Sequence, residues 1–314
     1  MSGRVIVRNM AERARLLRLA VGAVVGVLAA AGASPASATT TNAGFPFPPF
    51  GPAVKAITVA ADSTNGPLVA YRNARGDLYA KQGSLDAGWV KEFGPGVQAF
   101  AVASDPTNGP LLAVVDATGT VWAKQGSLDA GWVKELGPGV QAVAVASDPT
   151  NGPLLAVVDA TGAEFAKEGS LNAGWVEGPA QGVSDVAVAS DPTNGPLIAT
   201  LDNTGTVYAT EGSLSAAWVK EQGPGVRKVA VASDPTNGPL IATLDNTGTA
   251  YAKEGSLDAG WVKEQGPGVG ALAVASDPTN GPLLAILRSA DYWAKQGSLN
   301  AGWVFLKGPP QGHV

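Results

Sequence analysis

The sequence has no cysteine and a single histidine, His313, in 314 residues. No disulfide can staple the fold. Thiolate nucleophiles, cysteine–histidine metal sites and Ser-His-Asp or Cys-His catalytic systems are excluded together. His313, next to the last residue, is expected to be idle. Helical signals are missing as well: beyond about residue 54 no stretch keeps a 3.6-residue apolar period with caps. Glycine and proline, present in 41 and 23 copies, interrupt every run. The longest apolar stretch, residues 19–31, is shorter than the roughly 20 residues that span a bilayer. The enzyme chemistry left over is a pair of carboxylates, as in glycoside hydrolysis. No cofactor is expected, and no metal: the recurring Asp-Pro-Thr-Asn-Gly loops lack the dense ligand spacing of a calcium loop.

What is present begins with a basic segment. Arg4, Arg8, Arg13, Arg15 and Arg18 precede the apolar run, which leads to Ala36-Ser37-Ala38. A basic region, a short apolar region and an A-x-A site read as a secretory signal peptide over residues 1–38, so the protein is expected to be secreted, with no membrane insertion after cleavage. The remaining chain carries 16 basic and 25 acidic residues. That balance argues against nucleic acid or an anionic membrane as partner. Residues 39–53, rich in Thr, then Pro and Phe, read either as a semi-rigid linker or as a segment whose Phe45, Phe47 and Phe50 cover the edge of the first repeat.

From residue 54 onward the chain repeats. The octapeptide GSLDAGWV stands at 83–90, 126–133 and 255–262, and altered copies end in Trp175, Trp218 and Trp303. The six Trp, at 89, 132, 175, 218, 261 and 303, are spaced by 43 residues four times and then by 42. Each unit reads as four short strands. In residues 97–137 a run of small and β-branched residues ends at the turn formers 104–110. A continuous apolar run, 111–115, ends at Asp116-Ala117-Thr118-Gly119. An alternating strand from Thr120 is broken by residues 126–131, and a last strand starts at Trp132. Four antiparallel strands per unit of about 43 residues, six times over, predict an all-β, six-bladed β-propeller over 54–314, with the first strand at the hub and the charged Trp-Val-Lys-Glu strand at the rim. The chain begins on a first strand and ends on a fourth, so no blade is shared between the two ends of the repeat array.

The pattern from Trp218 to Tyr251, W-V-x-x-x-G, then A-V-x-S-D, G-P-L-x-A and G-x-x-Y, resembles the tectonin-type and tachylectin-like propeller lectin repeat, over all six units. The resemblance implies a secreted or surface-acting carbohydrate binder with glycans or glycoconjugates as partners and sites between adjacent blades.

The residues themselves set candidates beside that expectation. The ligand-binding candidates are Trp89, Trp132, Trp175, Trp218, Trp261 and Trp303, with Trp122, Tyr208 and Tyr251 from the third strand, where Tyr79, Phe165 and Trp293 hold equivalent positions. Aromatic faces stack on sugars, but they also pack cores, and both readings stay open. Asp105, Asp148, Asp191, Asp234 and Asp277 at the first turn, and Asp116, Asp159, Asp202 and Asp245 at the second, read as turn caps rather than catalysts. Lys81, Lys124, Lys167, Lys253 and Lys295 read as a solvated face. Departures from the repeat, among them Arg72, Asp77, Glu164, Asp185, Lys228 and Tyr292, scatter around the ring. Three function classes are compatible with these residues: a lectin with several similar weak sites that gain by avidity, an extracellular or cell-envelope scaffold that binds a cell-surface protein, and a carboxylate-based carbohydrate-active enzyme. The first is preferred, with no catalytic residue.

Overall fold

A computed structural model describes residues 53–289 and 291–306; the expected signal peptide, the linker up to residue 52 and His313 lie outside these. Six four-stranded antiparallel sheets account for nearly all of it, and no helix occurs among the described residues. Blade 1 is β1 (Val54–Asp62), β2 (Gly66–Asn73), β3 (Leu78–Gln82) and β4 (Val90–Phe93). Blade 2 is β5 (Ala99–Asp105), β6 (Gly109–Val115), β7 (Val121–Gln125) and β8 (Val133–Leu136). Blade 3 is β9 (Val140–Asp148), β10 (Gly152–Asp159), β11 (Glu164–Glu168) and β12 (Val176–Glu177). Blade 4 is β13 (Val183–Asp191), β14 (Gly195–Asp202), β15 (Val207–Glu211) and β16 (Val219–Gln222). Blade 5 is β17 (Val226–Asp234), β18 (Gly238–Asp245), β19 (Ala250–Glu254) and β20 (Val262–Gln265). Blade 6 is β21 (Val269–Asp277), β22 (Gly281–Arg288), β23 (Asp291–Gln296) and β24 (Val304–Leu306).

Within each blade the strands pair in chain order. First strands lie next to first strands, β1 by β5, β5 by β9, and so on to β21, which places them at the hub as expected. Among the described residues no comparable contact joins β21 to β1, so the seam between blades 6 and 1 is the one junction of the series that differs. In blades 2 to 5 the second strand is sandwiched by both neighbours. That is why 111–115 reads as unbroken apolar sequence: every residue of β6 is buried, and so are Leu154–Val158 at the same place in blade 3. Core clusters accordingly lie between blades, as where Leu111, Ala113 and Val115 of blade 2 meet Val143, Leu155 and Val157 of blade 3.

The turns are built as their residues demand. Asp105 Oδ1 accepts the backbone N–H groups of Thr107 and Asn108, both at 2.8 Å, and Gly109 follows at φ 72°. A Cβ on Gly109 would lie 2.7 Å from the Gly126 carbonyl oxygen, so only glycine fits there. The Asp caps also link blades. Ser147, Ser190, Ser233 and Ser276 of each following blade donate their hydroxyls to Asp105, Asp148, Asp191 and Asp234. At the second turn Asp116 accepts from the Thr118 and Thr120 amides and from Trp122 Nε1 at 2.9 Å.

Candidate functional site: the inter-blade grooves

In each blade the third-strand aromatic and the GSLDAGWV Trp turn toward the preceding blade. The third-strand series holds the equivalent register in all six sheets: Tyr79, Trp122, Phe165, Tyr208, Tyr251 and Trp293 pair with Tyr71, Val114, Val157, Thr200, Thr243 and Ile286. The six Trp stand one residue ahead of the fourth strand rather than in it, since β4, β8, β12, β16, β20 and β24 start at the following Val. Leaving the ladder lets the indole reach across the gap. Trp132, Trp175, Trp218, Trp261 and Trp303 each pack on an inter-blade core cluster. Four of them donate Nε1–H to a main-chain carbonyl of the blade before: Trp132 to Glu92 at 2.9 Å, Trp175 to Glu135 at 3.0 Å, Trp261 to Glu221 at 3.0 Å and Trp303 to Glu264 at 3.2 Å.

Both aromatic series are half-buried throughout. Trp122, Phe165 and Trp293 pack on the core clusters as Trp132 and its counterparts do, whereas Tyr208 and Tyr251 lie outside them. In the groove between blades 1 and 2, Phe93 lies 5.1 Å from Trp132 and 6.2 Å from Trp122, centroid to centroid. Where blade 1 offers Phe93, blades 4 and 5 offer Gln222 and Gln265, so Tyr251 and Trp293 line grooves with an amide beside the ring.

The lysines are not a solvated face. Lys124, Lys167, Lys253 and Lys295 are buried, and each forms an ion pair with a Glu of the preceding blade: Glu92, Glu135, Glu221 and Glu264. Each ammonium also donates to the carbonyl of the Leu four residues on and lies 5.0 to 5.4 Å over the Trp ring of its own blade. Burial pushes the four Glu carboxyls above their usual range, against the opposing pull of the Lys. Strand alternation in sequence shows only that the Lys points to one side of the sheet; in a propeller that side is covered by a neighbour.

The departures from the repeat fall into place at two interfaces. Between blades 3 and 4 the Glu is replaced by Gly178 and the Lys by Thr210, which is buried and donates to the Ala216 carbonyl at 3.2 Å. Glu164, from the neighbouring strand, fills the gap: a Cβ on Gly178 would lie 1.9 Å from its Oε2. With no cation opposite, burial raises the Glu164 carboxyl to about 7. On the other side of blade 4, Asp185 lies 3.7 Å from Lys228, and burial raises it to about 6 despite that charge. These two shifted acids therefore do not face one another as a hydrolytic pair. A cavity of about 520 Å³, lined by Gln98, Gln141, Asp159, Thr161, Ser184 and Asn203 among others, opens beside the second turns of blades 3 and 4 and the start of the first strand of blade 2.

No family model matches the chain, and no curated protein matches it. Among solved structures, the BP39L lectin from Burkholderia pseudomallei is similar at a TM-score of 0.63 and 14% identity, over 80% of this chain and 84% of the lectin. The SapL1 lectin in complex with alpha methyl fucoside aligns over 81% of this chain and 96% of that one, with 13% identity and a TM-score of 0.50. The GH74 xyloglucanase from Xanthomonas campestris aligns at 16% identity and a TM-score of 0.53, over 76% of this chain and 43% of the enzyme. At such identities the likeness is one of fold: the chain shares its six-bladed propeller architecture with lectins and part of a hydrolase's architecture as well.

Proposed function

We propose that the protein is a secreted, carbohydrate-binding propeller that engages glycans at several similar, individually weak sites in the grooves between blades. The observation that carries this reading is the six-fold recurrence of half-buried aromatic pairs, partly accessible to solvent in every blade. An aromatic ring fixed in this way offers a flat apolar surface at no further ordering cost, which suits the apolar face of a sugar. Similarity of fold to BP39L and SapL1 supports the assignment. A scaffold role is favoured by a different feature, the face that blade 1 presents at the seam, where Leu85 is exposed.

The test is a glycan array probed with the purified protein beside Tyr208→Ala and Tyr251→Ala variants. These rings lie outside the core clusters, so the variants are expected to stay folded. Binding to one sugar class that weakens stepwise in the single and double variants supports repeated sites. A blank from folded protein, or binding indifferent to both substitutions, rejects them.

A further inference from the structure

Four interfaces of this molecule display what the Lys–Trp frame holds. In each, a single Glu is gripped twice, its carboxylate by the Lys ammonium and its main-chain carbonyl by Trp Nε1, and its side chain is at most 2% exposed. The Glu always arrives on an extended segment of the pattern Val-Lys-Glu, as in Val90-Lys91-Glu92.

Among the described residues, blade 1 carries the same frame without its carboxylate. Lys81 donates to the Leu85 carbonyl and lies 4.8 Å over the Trp89 ring, as its four counterparts do. Among the described residues Lys81 meets no carboxylate and Trp89 Nε1 meets no acceptor. Leu85 is 61% exposed, whereas its counterpart Leu299 is 9% exposed under the preceding blade. Beside the frame lies a rigid aromatic wall: Tyr71 stacks on Tyr79 at 5.2 Å, and Trp89 meets Tyr71 edge-on at 4.7 Å.

We propose that this face of blade 1 docks an extended segment of another polypeptide through one glutamate, whose carboxylate pairs with Lys81 and whose carbonyl accepts from Trp89 Nε1. Among the described residues no glutamate of this chain stands opposite the frame. Blade 6, the neighbour across the seam, has Leu306 at the position of Glu92 and Glu264. Outside the described residues the only glutamate is Glu12, inside the expected signal peptide. The partner this chemistry selects is a different protein with an exposed acidic strand or tail, bound by a charge-assisted contact together with a main-chain hydrogen bond; a second copy, whose Glu177 is exposed on β12, would show instead as self-association of the full chain.

The probe is a fluorescein-labelled peptide with the sequence of residues 133–138, Val-Lys-Glu-Leu-Gly-Pro, titrated into the full chain by fluorescence anisotropy, beside its Glu→Gln form. Saturable binding is expected, at least about 10-fold weaker for the Gln peptide and for the Lys81→Met protein, and several-fold weaker for Trp89→Phe, which keeps the ring and loses the N–H. Lys81 is half-exposed and outside every core cluster, so Lys81→Met is expected to keep the wild-type melting temperature. Absence of binding, equal affinity for the two peptides, or affinity unchanged in a folded Lys81→Met protein overturns the proposal.

Discussion

A carboxyl group buried without a counter-charge stays protonated or strains what surrounds it, and Glu164 is held at that balance. Its side chain is 1% exposed and its pKa is raised from 4.5 to about 7 by burial. In the unfolded chain it ionises near pH 4.5; in the folded chain it keeps its proton until about 7. The folded state thus binds that proton more tightly, and stability falls as pH rises from about 4.5 to 7, by an amount on the order of 3 kcal/mol. Asp116 works in the opposite sense. Burial raises it, but hydrogen bonds from Thr118, Trp122 and Thr120 outweigh burial and hold it at about 2, so its contribution is full above about pH 4 and lost on acidification toward 2. Glu164→Gln is expected to raise the melting temperature by several degrees at pH 8, to change it little at pH 4.5, and to flatten the profile between them. Equal melting curves for the two proteins at pH 8 would mean that the carboxyl is not buried in solution. The Asp turn caps were legible in sequence because each acts on its own next few residues. Glu164 read as scattered variation because its meaning depends on Gly178 and Thr210, which lie 14 and 46 residues further on.

The third and fourth strands of neighbouring blades are joined by the Lys–Glu pair, and single and double substitutions have opposite expectations there. Lys167→Met leaves Glu135 charged in a site where its side chain is 2% exposed, a loss of about 3 to 5 kcal/mol. Adding Glu135→Leu removes the stranded charge and is expected to recover most of that loss, because a buried ion pair can be replaced by apolar residues at little net cost. The double-mutant cycle, read from thermal midpoints, checks this; a double variant as unstable as the sum of the singles would sink it. The interface between blades 3 and 4 has lost both partners together, at Gly178 and Thr210, but there the buried carboxyl of Glu164 takes the space. Strand number, order and turn chemistry were all readable from the repeat, since they depend on alternation, glycine and proline within one unit. That the Lys face is interior was not readable, because the Glu that pairs with it lies 32 residues earlier, in another blade. The Trp series is intermediate: its recurrence marked it, but recurrence alone serves packing and ligand binding equally, and the indole N–H bonds across the blades show that it packs.

At the scale of the whole ring, five junctions are built from the same sandwich of second strands and the sixth is not, so the seam decides how the molecule behaves as a unit. Among the described residues the array begins on a first strand, β1, and ends on a fourth, β24, so no blade there combines strands from both ends. Face packing is reinforced by a Ser–Asp link at four of the other junctions, blades 2/3 to 5/6, and by the Lys–Glu link near the rim at four, blades 1/2, 2/3, 4/5 and 5/6. Blade 1 contributes its half of the rim link as Lys81, but blade 6 ends in Val304-Phe305-Leu306, with leucine in place of glutamate. Leu306→Glu restores the pattern of blades 1, 2, 4 and 5 and places a carboxylate where Lys81 has none. If blades 6 and 1 approach in solution, the new Glu occupies the free frame: the melting temperature rises by a few degrees, and the Val-Lys-Glu peptide loses affinity through intramolecular competition. If the melting temperature falls and the peptide binds as before, the exposed charge has only cost blade 6 its leucine contact with Leu283 and Ala285, and the seam stands open as a permanent edge of the ring. Either result fixes whether the frame on blade 1 competes with closure of the ring or is free of it, and that determines how readily an outside partner reaches it.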